Sequence, residues 1–106
     1  MNYIIIFITA SSRKEAELIC NELVESKLVA CCNIISDVKS IFFWNGTLNH
    51  ENESMIIAKS IHQNFKDILV RVKKIHSYDT PEIIAMPIID GSDDYLKWIK
   101  DETSRT

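Results

Sequence analysis

Residues 45 and 46 are Asn-Gly, set between the β-prone run VKSIFFW at 38–44 and a return run that begins at Thr47. Asn-Gly between such flanks is the strongest short-range hairpin signal, because both central residues of the tight turn need positive φ and these two tolerate it. The chain is therefore predicted to reverse here. The strand entering the turn is long: residues 28–35 carry a β pattern, Ser36 and Asp37 interrupt it, and 38–44 resume it. Fully extended, residues 29–44 would span about 50 Å at roughly 3.3 Å per residue. A domain of this size has a radius of gyration near ~13 Å, so the hairpin must kink, overhang the domain, or both. Its tip carries Phe42, Phe43 and Trp44, and an overhang would place these aromatics on an edge open to pairing with another chain. An oligomer in which the hairpin reaches onto a neighbour is expected. The competing arrangement is a monomer that folds its hairpin back through a bulge at Ser36 and Asp37.

The remaining segments alternate in type. Residues 3–8 form a continuous β-branched and aromatic run, as in a central strand covered on both faces or on one face plus a partner. Ser12 and Glu15 stand in capping-box relation, and Ala16, Ile19, Cys20, Leu23 and Val24 follow on one helical face, predicting a helix over 12–26. After the hairpin turn and the polar stretch 49–54, an apolar strand at 55–58 is closed by Lys59 and Ser60. Phe65, Ile68, Leu69, Val72 and Ile75 or His76 give a second amphipathic stripe, ended by Ser77 and Pro81, before a strand at 82–89. Gly91 turns the chain, and Ser92 caps a short helix packed through Tyr95, Leu96, Trp98 and Ile99, with a fraying polar tail at 101–106. The order β-α-β-β-α-β plus a C-terminal helix predicts an α+β, ferredoxin-like fold: four antiparallel strands with helices on one face. One domain spans residues 1–106, with no linker or repeat.

Composition narrows the function classes. Twelve Lys and Arg against fifteen Asp and Glu leave a net charge of -3, with no basic block to follow a phosphate backbone, so no nucleic-acid partner is expected. The run MNYIIIFI is too short to span a bilayer and lacks the flanks of a secretory signal, so a soluble cytoplasmic protein is expected. Cys20, Cys31 and Cys32 form no CxxC pair and read as reduced thiols that behave as small apolar residues.

The residue types present are compatible with three kinds of site. For a metal, His76, Asp79 and Glu82 lie within seven positions, and a neighbouring subunit could add Cys31, Cys32 or Asp37. Imidazole, thiolate and carboxylate are the relevant ligands, and a stable site needs three or four converging. A single His at a helix end equally serves as a cap, while His50 and His62 sit in polar surroundings. For catalysis, Cys31 or Cys32 with His76 is the only conceivable nucleophile–base pair, no G-x-S-x-G, P-loop or zincin motif is present, and no enzyme activity is expected. For a small ligand, Trp44, Tyr78 and Trp98 could wall a cleft with Lys59 as its cation. The same aromatics suit a subunit core, with Lys59 paired to Glu82 or Asp79.

Several stretches carry a family resemblance. KLVACCNI at 27–34 is similar to KLAACVNI, SIFFWNG at 40–46 to SIYWWEG, and MIIAK at 55–59 to the LIIKT-type third strand. HSYDTPEI at 76–83 resembles HPYDTPEI, and DYLKWI at 94–99 resembles DYLDWI. Together, in order and at natural spacing, they resemble the CutA family of divalent-cation tolerance proteins. The resemblance implies a homotrimer of ferredoxin-like subunits whose long hairpins complete sheets between neighbours, an architecture like that of PII signalling proteins. It also implies an association with tolerance to copper and other divalent cations, with no reaction and no required cofactor. In some bacterial members metal binding is attributed to a Cys in strand one and a His pair before the Tyr. The matching positions here are Ile8, Ile75 and His76. Ser77 stands where the family usually has Pro, and Ser36-Asp37 where Pro-Gly is common. The expected reading is a non-enzymatic trimer that binds Cu²⁺ or another divalent cation weakly near His76 and Glu82. The alternative is a PII-like sensor or scaffold with a small ligand in clefts between subunits.

Overall fold

The structure is a computed structural model and describes residues 2–104. Strand β1 (Tyr3–Ala10) leads to helix α1 (Arg13–Glu25), the hairpin strands β2 (Cys31–Trp44) and β3 (Thr47–Ile61), helix α2 (Phe65–Ile75), strand β4 (Ile83–Pro87) and helix α3 (Asp93–Glu102). A 3₁₀ turn, His62–Asn64, precedes α2. The four strands form one antiparallel sheet in the order β2-β3-β1-β4.

The alternation of β1 organises the core. Ile4, Ile6 and Ile8 point to the helical face and are buried, where they meet Ala16, Ile19 and Leu23 of α1, Ile68 and Val72 of α2, and Ile56 and Ala58 of β3. Fully burying each such aliphatic side chain contributes about 1.5–3 kcal/mol. The odd residues of β1 face the other way. Ile5 lies level with Lys59 and Met86, Phe7 with Ile57 and Ile84, and the register extends this face to Ile35 and Met55. Helix α3 seals only one end of it, through Ile99 and Leu96 against Ala30, Ile61 and Tyr3. Ile35, Ile84 and Met86 stay about half exposed. Strand one thus has one face in the core, and its second apolar face is only partly covered within the chain.

Helix α1 begins as the sequence predicts: Ser12 Oγ accepts from Glu15 N at 3.1 Å. The reciprocal arm of the capping box lands one residue early, on Ser11 N at 2.9 Å. The C-terminus closes with Lys27 in the left-handed region (φ 61°), Lys27 N–H donating to Val24 O and Leu28 N–H to Leu23 O. These paired bonds satisfy the last carbonyls as a Schellman turn does, with Lys where Gly is usual.

Several predicted boundaries move. The strand expected from residue 28 starts at Cys31, because the Leu28 carbonyl is taken sideways by Ser60 Oγ (2.6 Å) and Asn64 Nδ2 (3.2 Å) instead of by a ladder partner. Strand β3 continues past Ser60 to Ile61, which pairs with Tyr3. The strand expected over 82–89 is shortened to Ile83–Pro87, the length that faces β1 from Ile4 to Ile8. The tail expected to fray from Asp101 is helical through Glu102, and Thr103 is buried with its hydroxyl donating to Ile99 O at 2.7 Å. Met1, Arg105 and Thr106, parts of the expected first run and tail, lie outside the described residues.

The hairpin both kinks and overhangs. Asn45 and Gly46 carry φ of 52° and 77°, the positive pair the turn requires. The β2–β3 register shifts between Ile35 and Val38, a bulge at which Asp37 adopts φ 60°. Arg13 Nη1 donates to Ser36 Oγ there at 3.0 Å, tying the bulge to the start of α1. Strand β1 stops pairing at Ser54, so residues 38–44 and 47–53 pair only with each other and project as a two-stranded arm. The molecule is accordingly elongated, 44 × 26 × 21 Å with a radius of gyration of 14.3 Å. Ile41, Phe42, Phe43, Trp44 and Leu48 are all exposed on that arm. An isolated two-stranded ribbon is marginal in water, which makes the arm the least self-sufficient part of the chain.

Candidate functional site

The underside of the arm, the end of β1 and the loop after α2 enclose a cleft of about 860 Å³. Its walls are Ile41, Phe42 and Trp44 from β2, Glu51 and Glu53 from β3, Thr9 and Ser11 near the end of β1, and Tyr78, Asp79 and Glu82 from the loop. Among the described residues no Lys, Arg or His lines it.

The loop is held by two residues acting as staples. His76 is buried at the C-cap of α2, where its Nε2 lies 2.7 Å from Thr9 O and its Nδ1 accepts from Tyr78 N–H at 3.0 Å. An acceptor at Nδ1 requires the ring proton on Nε2, which therefore donates to the carbonyl. Glu15 is the second staple: one carboxylate oxygen accepts from Ser11 N and Oγ, the other from Ser77 N at 2.8 Å. Burial by itself would raise the Glu15 pKa, and the hydrogen bonds from Ser11 and Ser77 outweigh it, leaving the carboxyl below its ordinary value.

With the loop fixed, the Tyr78 ring packs on His76 (centroids 4.9 Å apart) and its hydroxyl donates to Glu53 Oε2 at 2.8 Å. Burial, that bond, and the charges of Glu53, Glu51 and Glu15 push the Tyr78 phenol up to about 12. Tyr78 is thus a fixed neutral donor, and buried Glu53 is held as its acceptor. The cleft offers aromatic faces, carboxylate oxygens and, among the described residues, no basic side chain, an arrangement suited to a cationic or polar guest and unsuited to an anion.

The predicted site residues divide between the two ends of the molecule. Trp44, Tyr78, Asp79 and Glu82 come together in the cleft. Lys59 and Trp98 do not join them: Lys59 Nζ donates to Asn33 Oδ1 on the open sheet face, and Trp98 packs with Tyr95 on α3, ring centroids 5.5 Å apart. The expected pairing of Lys59 with Glu82 or Asp79 is replaced by the Asn33 contact, because β3 carries Lys59 opposite Cys31, far along the ladder from the arm. The predicted metal pair also separates chemically. Glu82 is exposed at the cleft, whereas His76 has both ring nitrogens engaged with backbone and no lone pair left for an ion. Among the described residues no group of three or more His, Cys, Asp or Glu could hold a metal ion. Nor do Cys31 and Cys32 approach His76 as nucleophile and base: Cys31 Sγ lies 3.6 Å from Tyr95 Oη, and Cys32 lines a depression with Cys20 between α1 and β2. His50 and His62 are exposed.

Sequence reasoning missed Glu15, Glu51 and Glu53. Glu15 carried a signal as a capping-box residue, but its second oxygen serves a loop 62 residues away. Glu51 and Glu53 fell in a stretch that read only as polar, and nothing local marks Glu53 as the partner of Tyr78.

Comparison with known proteins agrees with this architecture. Residues 4–102 match the CutA1 divalent ion tolerance protein family. The divalent-cation tolerance protein CutA of Archaeoglobus fulgidus is 45% identical over 98 residues, covering 92% of this chain and 94% of that protein. The chloroplastic protein CutA of Arabidopsis thaliana is 35% identical over 100 residues, covering 94% of this chain, which spans only 55% of that longer protein. Among solved structures, the periplasmic divalent cation tolerance protein CutA of Archaeoglobus fulgidus superposes with a TM-score of 0.94 at 40% identity, covering 96% of this chain and 99% of that one. A sheet of this order, a hairpin overhanging it, and a match from the first strand to the last helix lead to one assignment: the chain belongs to the CutA1 divalent ion tolerance protein family.

Proposed function

We propose that the protein serves divalent-cation tolerance in the cytoplasm as a non-enzymatic homotrimer of ferredoxin-like subunits, holding copper or another divalent cation weakly at the carboxylates beside Glu82. The observation that carries this reading is the cleft lining, in which Glu51, Glu53, Asp79 and Glu82 meet no basic residue among the described residues. Carboxylate oxygens suit divalent ions, and weak binding follows from a ligand set that is incomplete within one chain. The site is completed by donors from a second subunit, and His76 acts as a loop staple outside the ligand set. Trimer formation is supported by the exposed aromatic arm and the partly covered sheet face, and the ferredoxin-like topology by the strand order β2-β3-β1-β4. No described helix is long and apolar enough to cross a membrane.

A second reading keeps the trimer and gives the cleft to a small organic ligand, as in a PII-like sensor or scaffold; the aromatic walls of Phe42, Trp44 and Tyr78 favour it. Sedimentation at micromolar concentration should show three times the 12.2 kDa chain mass, and a 12.2 kDa species alone refutes the trimer. Calorimetric titration with Cu(II) should show binding that the D79N/E82Q double variant loses. Unchanged binding in that variant refutes the carboxylate site. A thermal shift with an organic ligand but none with divalent cations transfers the cleft to the second reading.

A further inference from the structure

The ladder orders the face of the arm that looks into the cleft. Alternate residues of a strand share a face, and the β2–β3 register sets Trp44 opposite Thr47, Phe42 opposite Asn49, Ser40 opposite Glu51 and Val38 opposite Glu53. Phe42, Trp44, Glu51 and Glu53 all line the cleft. That face therefore carries two aromatic side chains near the hairpin tip and two carboxylates toward its base. Glu51 and Glu53 stand roughly 6.7 Å apart along the strand. Phe42 is a diagonal neighbour of Glu51, at roughly 7–8 Å, a distance that long side chains bridge.

These carboxylates lack a counter-charge. Glu53 is 6% exposed, and the bond it accepts comes from the neutral Tyr78 hydroxyl, at 2.8 Å. The ion pairs among the described residues join Arg13 to Glu17, Lys27 to Glu102, Arg71 to Glu22 and Lys97 to Asp101, and none of these lines the cleft. Burying a carboxylate without a positive partner is costly, so what the cleft lacks is a cation. Within one chain no three of the described acidic, histidine or cysteine groups converge to hold a metal ion. The carboxylates of β3 stand in a row instead, continuous with the aromatic side chains of β2.

We propose that the cleft binds an extended organic polycation of the alkylpolyamine class, with ammonium groups on Glu51 and Glu53 and its methylene stem along Phe42 and Trp44; the assignment rests on the second reading above, in which the cleft holds an organic ligand. An ammonium group carries its own donors and is held by a single carboxylate, whereas a divalent metal ion needs several oxygens around one point. A row of separated carboxylates therefore matches a row of separated ammonium groups. Methylene stems pack on apolar surface while their charged ends reach polar partners, and an ammonium over the Phe42 or Trp44 face gains cation–π attraction. The Tyr78 ring is already packed on His76 and its hydroxyl engaged with Glu53, so the rings form a wall along the cleft, a shape that fits a linear cation better than a compact quaternary ammonium. A volume of about 860 Å³ accommodates such a chain.

The test is calorimetric titration of the full chain with spermidine, repeated with triacetylated spermidine, which keeps the skeleton and removes the charges. Spermidine should bind and the triacetylated form should not. Glu51→Gln should weaken spermidine binding about tenfold, the loss of one hydrogen bond to a charged group. Phe42→Leu keeps apolar bulk and removes the ring, and should weaken binding about fivefold. Glu25→Gln, an exposed carboxylate of α1, should leave it unchanged. Glu51 is exposed, so if Phe42→Leu alters sedimentation, Glu51→Gln decides alone. Spermidine binding that survives Glu51→Gln, that Glu25→Gln weakens equally, or that the triacetylated form matches overturns the proposal. Absence of spermidine binding overturns it too, and a thermal shift with the triacetylated form would then keep an organic ligand in the cleft, which separates this failure from failure of the second reading.

Discussion

Replacing His76 tests the assignment of this side chain as a staple. His76→Ala removes the bond to Thr9 O (2.7 Å) and the bond from Tyr78 N (3.0 Å) in a site where His76 is only 9% exposed. Each of the two bonds contributes about 1 kcal/mol net, and the buried polar groups left without a partner add about 1–2 more, so the loss is about 3–4 kcal/mol. For a domain near 100 residues a loss at the lower end lowers Tm by at least roughly 12 °C. His76→Asn places Oδ1 where Nδ1 was and restores the acceptor for Tyr78 N–H. His76→Gln extends its amide nitrogen toward Thr9 O and restores the donor. Each should recover about half of the loss. The assay is urea unfolding at one fixed protein concentration with the m-value compared across the series, because oligomer stability depends on concentration. Cu(II) titration of the folded variants should be unchanged. An Ala variant within about 0.5 kcal/mol of the unsubstituted chain refutes the staple. Equal losses for Ala, Asn and Gln would instead place the effect in ring packing against Tyr78.

Two other titratable groups give pH signatures. The folded Glu15 pKa lies below its ordinary value of 4.5, so its contribution is fully present above that value and is lost as pH falls through the folded pKa. The stability gap between the unsubstituted chain and Glu15→Gln should be widest near neutral pH and close in acid; a constant gap contradicts the assignment. The Tyr78 phenol is raised from 10 to about 12. Between those values the unfolded chain releases a proton that the folded chain keeps, so stability should fall there, and Tyr78→Phe should remove both that fall and the latest step in an ultraviolet phenolate titration.

The elements legible in the sequence were those set by local physics. Asn45-Gly46 specifies its own turn because both residues accept positive φ, and Ser12 caps α1 through a bond three residues away. The apolar stripes of α1 and α2 found the core because helix period selects those faces, except at Val24, which stays exposed at the end of α1. The cleft was half legible: Trp44, Tyr78, Asp79 and Glu82 were named as site residues and meet there, whereas Lys59 and Trp98 lie at the other end of the molecule. No pattern along the chain tells which rung of a ladder a residue occupies, and that rung decides which end it serves. The boundaries that moved did so for the same reason, since the Leu28 carbonyl is claimed by Ser60 and Asn64 more than thirty residues later.

By itself, the sequence determined the number of strands and helices, the hairpin and its bend, and the family to which the chain belongs. Tertiary structure alone decided the chemistry of individual side chains. His76 became a staple because β1 brings the Thr9 carbonyl to its ring, Glu53 became buried because Tyr78 reaches it, and Cys20 and Cys32 line one depression because α1 lies across β2. Whether a histidine, carboxylate or thiol has a free lone pair depends on neighbours distant in sequence, and only the folded chain supplies them.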